Sequence, residues 1–305
     1  DFGKKNLGKN EKVNIEYVSA NPTGPLHVGH TRGAVFGDTL SNVLEFVGYD
    51  VCREYYINDS GEQINNLARS THFRYLQSLN NSDESIPEGL YPGKYLISLG
   101  EDLSKKFNSK FQDCSEDEWI DLFKEESINF VMNLIKKDLN SLNIKHDIFT
   151  SEKNLLSENK VSKTFELLDK KNLLYEGTTQ PPKGSKKEEW NKEKHILFKS
   201  KDFGDDEDRV IKKHNGQWTY FMPDIAYHLN KYERGFTKMI NIFGADHSGY
   251  ITRMKAAVKA ITDENANLEI KTCQLVRLSR AGEPVKMSKR SGSFITLKEI
   301  IEEVG

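Results

Sequence analysis

Residues 13–30 read VNIEYVSANPTGPLHVGH. The first six are short, rich in β-branched and aromatic residues, and bounded by polar residues in front and NPTGP behind. That pattern predicts a buried strand over 13–18. Pro22, Gly24 and Pro25 then shape a tight turn. A helix is expected from about Gly29 to Val47, because Val35, Leu40, Val43, Leu44 and Val47 recur at helical spacing. Gly48 is placed to end it. VCREYYI, residues 51–57, reads as a second strand. Strand, helix and strand in so short a span demand a parallel pair joined by a right-handed crossover.

Beyond this unit the pattern changes. Residues 58–145 read as mostly helical, broken by the Pro/Gly-containing IPEGLYPGKY at 86–95, with a stripe at Leu122, Ile128, Val131, Leu134 and Ile135. This block reads as an insertion in an α/β domain. A helix near 157–171 follows, then short strands near 195–199, 209–213 and 217–221 and a helix over 222–234. KMINIF, residues 238–243, reads as a buried strand ending at Gly244. A helix over 249–262, a strand near 270–276 and a short helix over 297–303 complete the pattern. The implied division is 1–57 and 146–276 as two halves of one α/β domain, 58–145 as the helical insertion, and 277–305 as a lysine-bearing loop with the start of a helical region. KGSKKEEWNKEKH, residues 183–195, reads as a charge-rich, solvated loop.

Composition narrows the classes. The 305 residues carry 44 Lys and Arg against 46 Asp and Glu, a net charge of −2. A wholly basic nucleic-acid coat is excluded, although a local basic face is not. No apolar run approaches the roughly 18 residues of a membrane span. Cys52, Cys114 and Cys273 are sparse and form no CxxC pair, against a disulfide framework or a zinc ribbon. No signal peptide is visible and the chain begins at Asp1, which reads as a fragment with a cytoplasmic location.

Two segments carry chemistry. In the first, the turn sets His27 and His30 at the start of a helix, where unsatisfied N–H groups and a partial positive charge favour phosphate. Spaced i and i+3, the two rings lie on one face and can both donate to phosphoryl oxygens. Gly29 lets a flat group approach the backbone. By itself HxxH is more often a pair of ordinary histidines, and no third zinc ligand is evident in the segment. The second segment is EPVKMSKRSGSF, residues 283–294. Cations at the spacing of Lys286 and Lys289 can clamp a polyphosphate and neutralise a leaving pyrophosphate. After the strand NIF, Gly244, Asp246 and His247 stand where ligands sit in open parallel sheets, with Asp246 able to accept from ribose hydroxyls.

Together, HVGH and KMSKR resemble the two signatures of class I aminoacyl-tRNA synthetases. The resemblance extends to arginyl-tRNA synthetases through VNIEYVSANPTGPLHVGHTRGAVFGD, GYDVCREYYINDSGEQINNLA, PEGLYPGKYL, DFGDDEDRV, TYFMPDIAYHLNKYERGF, NIFGADHSGYITRM and GEPVKMSKRSG, spread over nearly the whole chain. It implies an α/β fold with a Rossmann-like parallel sheet binding nucleotide and a mostly helical insertion. It also implies ATP-dependent activation of arginine and transfer to the 2′-hydroxyl of tRNA(Arg). His27, His30, Lys286 and Lys289 become catalytic. Gly29, Gly244, Asp246 and His247 join the lysines around ATP. Glu16, Ser19, Asn21, Tyr220 and Asp224 match the arginine site.

The chemistry agrees for Asp224, since a carboxylate can take a planar guanidinium bidentately. Following Pro223, the same residue could also be a helix N-cap. Mg²⁺ is expected with ATP, zinc and haem are not, and most members being monomers implies a monomer. Members also carry an N-terminal domain touching the tRNA body and a C-terminal anticodon-binding domain, neither visible here. Two departures stand out: Ser248 replaces a second histidine after His247, whereas Lys289 is present although some members lack it. Another class I synthetase, an HxGH nucleotidyltransferase and a non-catalytic tRNA-binding paralogue remain as alternatives.

Overall fold

The structure is a computed structural model that describes residues 3–178, 193–276, 278–280, 283–284 and 295–304; for 246–248, 280, 283, 284 and 304 it describes the backbone. The elements in chain order are β1 (Lys12–Glu16), α1 (Val28–Phe46), β2 (Asp50–Ile57), α2 (Glu62–Asn80), α3 (Tyr95–Phe107), α4 (Glu116–Ser141), β3 (Ile148–Ser151), α5 (Glu152–Ser157), α6 (Lys160–Lys170) and β4 (Leu174–Gly177). After them come β5 (His195–Phe198), β6 (Arg209–Lys212), α7 (Phe221–Glu233), β7 (Lys238–Gly244), α8 (Ile251–Ile261), β8 (Asn267–Cys273), β9 (Ser279–Arg280), β10 (Glu283–Pro284) and α9 (Leu297–Val304). They form two compact units. One comprises Asp1–Tyr17, Thr39–Glu54 and Thr150–Gln274; the other comprises Val18–Asp38, Tyr55–Phe149 and Leu275–Gly305.

In the first unit β1 is the middle strand of a sheet ordered β3-β2-β1-β7-β8. It runs parallel to β2 and to β7, and β7 runs parallel to β8. Val13, Asn14, Ile15 and Glu16 are all buried, so both faces of the strand are covered. Val13 and Ile15 alternate with Asn14 and Glu16 along the strand, and the polar face is buried with partners: Asn14 donates to Glu54 and Glu16 accepts from Lys231. The register sets Glu16, the last residue of β1, beside Glu54 of β2 and Asn241 of β7, a polar row across three strands. The apolar core joins α6, α7 and α8 to the strands through Leu168, Ile225, Met239, Met254, Ala257 and Leu268. β4, β5 and β6 make a separate antiparallel sheet.

The end of α1 has a clear cause. Tyr49 N–H reaches Leu44 O at 3.1 Å and Gly48 N–H reaches Glu45 O at 3.0 Å, with Gly48 at φ +94°. This pair of bonds around a left-handed glycine closes the orphan carbonyls of the last turn.

The second unit is built on α2, α3 and α4, as the reading of a helical insertion anticipates. α2 and α3 cross where Gly100 has no side chain; a Cβ there would lie 2.6 Å from the Arg74 carbonyl carbon. Tyr75, Trp119, Phe123 and Ile135 fill the interior, with the His72 ring stacked on Trp119 at 3.9 Å. The buried face of α4 carries Trp119, Phe123, Ser127, Val131, Ile135 and Leu139. The expected stripe is therefore turned, and Leu122, Ile128 and Leu134 lie at its margin.

Several boundaries differ from the sequence reading for identifiable reasons. No strand forms over 217–221. Trp218 makes one isolated bridge to Lys212, and the chain then enters α7, which buries Phe221 and Met222. The helix expected over 157–171 is α6, which starts at Lys160 because Asn159, at a left-handed φ of +57°, separates it from α5, an element the sequence reading lacked. β8 starts at Asn267, three residues early, since its register matches β7 from Lys238 to Gly244. On α1 the buried residues are the small Ala34, Gly37 and Ser41, whereas Val35 and Val43 of the expected stripe are exposed. β3 and β4 had no counterpart in the sequence reading.

Candidate active site

The turn after β1 is held by its own unit. Val18 and Ser19 take left-handed φ values of +70° and +38°. That conformation is costly for a β-branched residue such as Val18, and its persistence requires over-determination by neighbours. Those neighbours are present. Ser19 Oγ accepts the Tyr56 N–H at 3.0 Å, and Tyr55 OH donates to Ala20 O at 2.7 Å. Tyr95 OH donates to Thr23 O at 2.6 Å, and Leu26 N–H donates to the Asp138 carboxylate at 3.0 Å. Asn21 donates to Gln63 at 2.9 Å.

This scaffold delivers His27 and His30 at the start of α1 with rings stacked, centroids 3.8 Å apart. His27 Nδ1 accepts the Gly29 N–H at 3.1 Å, and His30 Nδ1 accepts the His27 N–H at 3.3 Å. A backbone N–H only donates, so each neutral ring carries its proton on Nε2. Both histidines are thereby set as Nε2–H donors. Gly29 serves a closer neighbour than the sequence implied: a Cβ there would stand 2.9 Å from Cε1 of His27. The flat group crossing the glycine is the first histidine itself.

The far end of the chain returns to this turn. Thr296 bridges His27, and Leu297 N–H donates to Leu26 O at 2.8 Å. Thr296 also caps α9, accepting the Glu299 N–H at 3.1 Å while Glu299 accepts the Thr296 N–H at 2.6 Å. This reciprocal box fixes where the helix begins. The segment carrying Lys286 and Lys289 therefore re-enters the described structure beside the first histidine. Both lysines lie outside the described residues, as does most of the charged stretch at 183–195.

In the first unit, side chains of α7 and its C-terminal end meet the polar row. His228, Lys231 and Arg234, three residues apart in sequence, meet Asn241 of β7, Glu16 of β1 and Glu54 of β2 in turn. Lys231 is fully buried; its Nζ lies 2.7 Å from Glu16 and 3.2 Å from Asn241 Oδ1. His228 Nδ1 donates to Asp224 O at 2.8 Å, and its Nε2 accepts from Asn241 at 3.0 Å. Burial and the nearby Lys231 charge depress His228 to about 3, so it stays neutral. Glu54 takes Arg234 at 2.7 and 2.8 Å and Thr150 at 2.5 Å. Burial pushes its carboxyl up, but Lys231, Arg234 and Thr150 outweigh this and hold it below the ordinary range.

Asp224 sits one turn before His228 on the same helix face. Tyr250 donates its hydroxyl to Asp224 Oδ2. Burial, with Glu152 and Glu16 nearby, raises the Asp224 carboxyl to about 7, against the pull of Tyr250 and Lys231. Asp224 is not the N-cap of α7. Tyr220 holds that position and Pro223 is already inside the first turn, where its missing N–H costs nothing.

The sequence-predicted residues thus fall into groups. His27, Gly29 and His30 come together in the second unit, where Ser19 and Asn21 are bonded into the turn that leads to them. Glu16 and Asp224 belong to one polar cluster in the first unit. Tyr220 is 82% exposed and stands apart from that cluster. Gly244 ends β7 and the backbone of Asp246 and His247 forms a short 3₁₀ turn, Ala245–Tyr250, but their side chains lie outside the described residues. Sequence reasoning missed Lys231, His228, Asn241 and Tyr250. A signal for the first two existed: Asp224, His228 and Lys231 recur at i, i+4 and i+7 in the helix, and that spacing puts them on one face.

A parallel sheet hosts many chemistries, so the fold alone does not identify the protein. What narrows it is the turn after the middle strand, with its paired imidazoles and the bridge from the far end of the chain; these define the catalytic domain of the class I aminoacyl-tRNA synthetases. The family described as "tRNA synthetases class I (R), catalytic domain" matches residues 2–304. The chain is 53% identical over 304 residues to a protein named arginine–tRNA ligase from Parvibaculum lavamentivorans, covering 100% of this chain and 52% of that protein. With the protein of the same name from Ruegeria sp. the identity is 51%, with the same coverage. A solved Campylobacter jejuni protein assigned to the arginyl-tRNA synthetases is 38% identical with a TM-score of 0.83, over 99% of this chain and 62% of that one. The chain belongs to the arginyl-tRNA synthetase catalytic-domain family. It spans about half the length of the curated relatives it matches.

Proposed function

We propose that this chain is the catalytic core of an arginine–tRNA ligase. It activates arginine with ATP to arginyl-adenylate and pyrophosphate, then passes the arginyl group to the 2′-hydroxyl of the terminal adenosine of tRNA(Arg). The observation that carries this reading is the contact of Thr296 and Leu297 with the HVGH turn, where both histidines are set as Nε2–H donors. The arginine carboxylate attacks the α-phosphorus of ATP, the α–β phosphoanhydride bond breaks, and pyrophosphate leaves. No enzyme nucleophile is needed; positioning and charge stabilisation suffice. His27 and His30 donate to the phosphates as negative charge moves toward the leaving group, and Lys286 and Lys289 neutralise the pyrophosphate. In the first unit Asp224 receives the guanidinium, and Glu16 belongs to the same arginine site.

Among the described residues no cluster of three His, Cys, Asp or Glu side chains could hold a metal ion. Mg²⁺ belongs to this reading as a companion of the ATP phosphates, where it would offset their charge. No helix among the described residues is long and apolar enough to cross a membrane. A cytoplasmic monomer acting on arginine, ATP and tRNA(Arg) completes the proposal.

ATP–pyrophosphate exchange with arginine, in the presence of tRNA, tests it. Lys289→Ala is expected to slow exchange at least tenfold with little change in arginine affinity. Asp224→Ala is expected to abolish arginine binding and spare ATP. Exchange that ignores arginine, or arginine affinity that survives Asp224→Ala, refutes the reading.

A further inference from the structure

The turn GADHSGY ends in a residue that faces the amino-acid cluster. Tyr250 closes the 3₁₀ turn after β7 and stands at the start of α8. Its hydroxyl donates to Oδ2 of Asp224 on α7, so two separate elements meet at one carboxylate. Tyr250 is itself clamped: its ring packs edge-on against Phe221 at 5.9 Å, and the Arg253 guanidinium lies 5.2 Å from its centroid. The tyrosine is therefore a fixed donor and not a side chain that wandered into reach.

A carboxylate on a helix rotates easily about its last torsion, which is broad and two-fold. Bidentate recognition of a guanidinium needs both oxygens in one plane with two N–H groups. A fixed donor on one oxygen sets that plane. An ionised carboxylate offers about four acceptor positions, so the tyrosine consumes one and leaves capacity on both oxygens.

We propose that Tyr250 is a positioning residue for amino-acid recognition: its hydroxyl orients the Asp224 carboxylate toward the incoming guanidinium. This rests on the reading of Asp224 as the guanidinium acceptor. The same hydrogen bond favours the ionised form of Asp224 against three opposing influences: burial, Glu152 at the start of α5 and Glu16 at the end of β1. Lys231 on α7 is the cation on the favourable side, and Arg253 on α8 faces the tyrosine. Without the hydroxyl, Asp224 holds its proton to higher pH and receives a cation less well near neutrality.

The test is calorimetric binding of arginine and ATP to the 305-residue chain and its Tyr250→Phe variant from pH 6 to pH 9. Phenylalanine keeps the ring between Phe221 and Arg253 and removes one hydrogen bond to a charged group. Arginine affinity is expected to fall roughly ten- to a hundredfold near pH 7. ATP affinity is expected to stay constant. The pH at which arginine affinity reaches half its plateau is expected to move upward, so part of the loss is recovered at pH 9. Unchanged arginine affinity and midpoint overturn the proposal, as does a variant that melts far below the parent chain, because Tyr250 is then a packing residue. Asp224→Asn separates the two layers of the argument. If it leaves arginine affinity intact, the acceptor assignment itself fails. If it removes affinity while Tyr250→Phe changes nothing, only the role of Tyr250 fails.

Discussion

Replacing Lys231 with methionine tests whether the polar seam between α7 and the sheet is stabilising. Lys231 is fully buried and pairs at 2.7 Å with Glu16, whose side chain is 7% exposed. Methionine keeps a stem of similar length against the Tyr227 ring, over which the ammonium lies at 4.3 Å. What it removes is the charge. Glu16 is left as a buried carboxylate without this cation, and Asn241 Oδ1 loses a donor. Breaking a buried pair from one side costs about 3–5 kcal/mol, well above the roughly 1 kcal/mol that better apolar packing returns. With an unfolding entropy of about 2.1 cal/mol/K per residue over 305 residues, the melting temperature should fall by about 5–8 °C.

Calorimetric melting and urea unfolding measure the loss. The double variant Lys231→Met with Glu16→Gln provides the control. It removes both charges, so it should recover about 1–3 kcal/mol relative to Lys231→Met alone. A loss under about 1 kcal/mol, or strict additivity in the double-mutant cycle, refutes the claim that these two groups stabilise one another.

Glu54→Gln breaks the neighbouring cluster with Arg234, Thr150 and Asn14. Because the folded Glu54 carboxyl lies below its ordinary range, its contribution is complete above the unfolded value near 4.5 and vanishes as pH falls through the depressed one. Chemical unfolding should therefore show the variant destabilised at pH 7 and the difference shrinking toward pH 3; a pH-independent difference contradicts the assignment. Gly48→Ala places a Cβ 2.4 Å from Asn6 Oδ1 at a left-handed φ of +94°. A melt should show a loss of roughly 1–3 kcal/mol, and no loss would mean that the α1 terminus does not depend on its glycine.

Much of the molecule was legible before any coordinates. The short β-rich run VNIEYV, bounded by polar residues and by NPTGP, marks a buried strand, and β1 is the middle strand of the sheet. NPTGP followed by HVGH placed a turn and a histidine pair that the fold brings together. Gly48 announced the end of α1, and 58–145 was readable as helical. The failures share a cause. The return leg expected over 217–221 is lost because Phe221 and Met222 are buried as the first turn of α7, a tertiary preference that short β-rich runs do not reveal. The stripe on α1 obeys helical periodicity, yet the buried residues are Ala34, Gly37 and Ser41. Periodicity locates a helix but does not state which face is covered or how closely.

The sequence by itself determined the class of the fold, the place of the histidine turn and the family, because these rest on local backbone preferences and on residue types in fixed order. Only the tertiary structure decided the partners. Lys231 is separated from Glu16 by 215 positions and Arg234 from Glu54 by 180, and no local pattern links them. Their meeting depends on the register that sets Glu54, Glu16 and Asn241 side by side and on the crossing of α7 over that row. The same holds for Tyr250 and Asp224, and for Thr296 and His27. Backbone conformation is set within a few residues, whereas the pairing of buried charges is set by where whole elements pack.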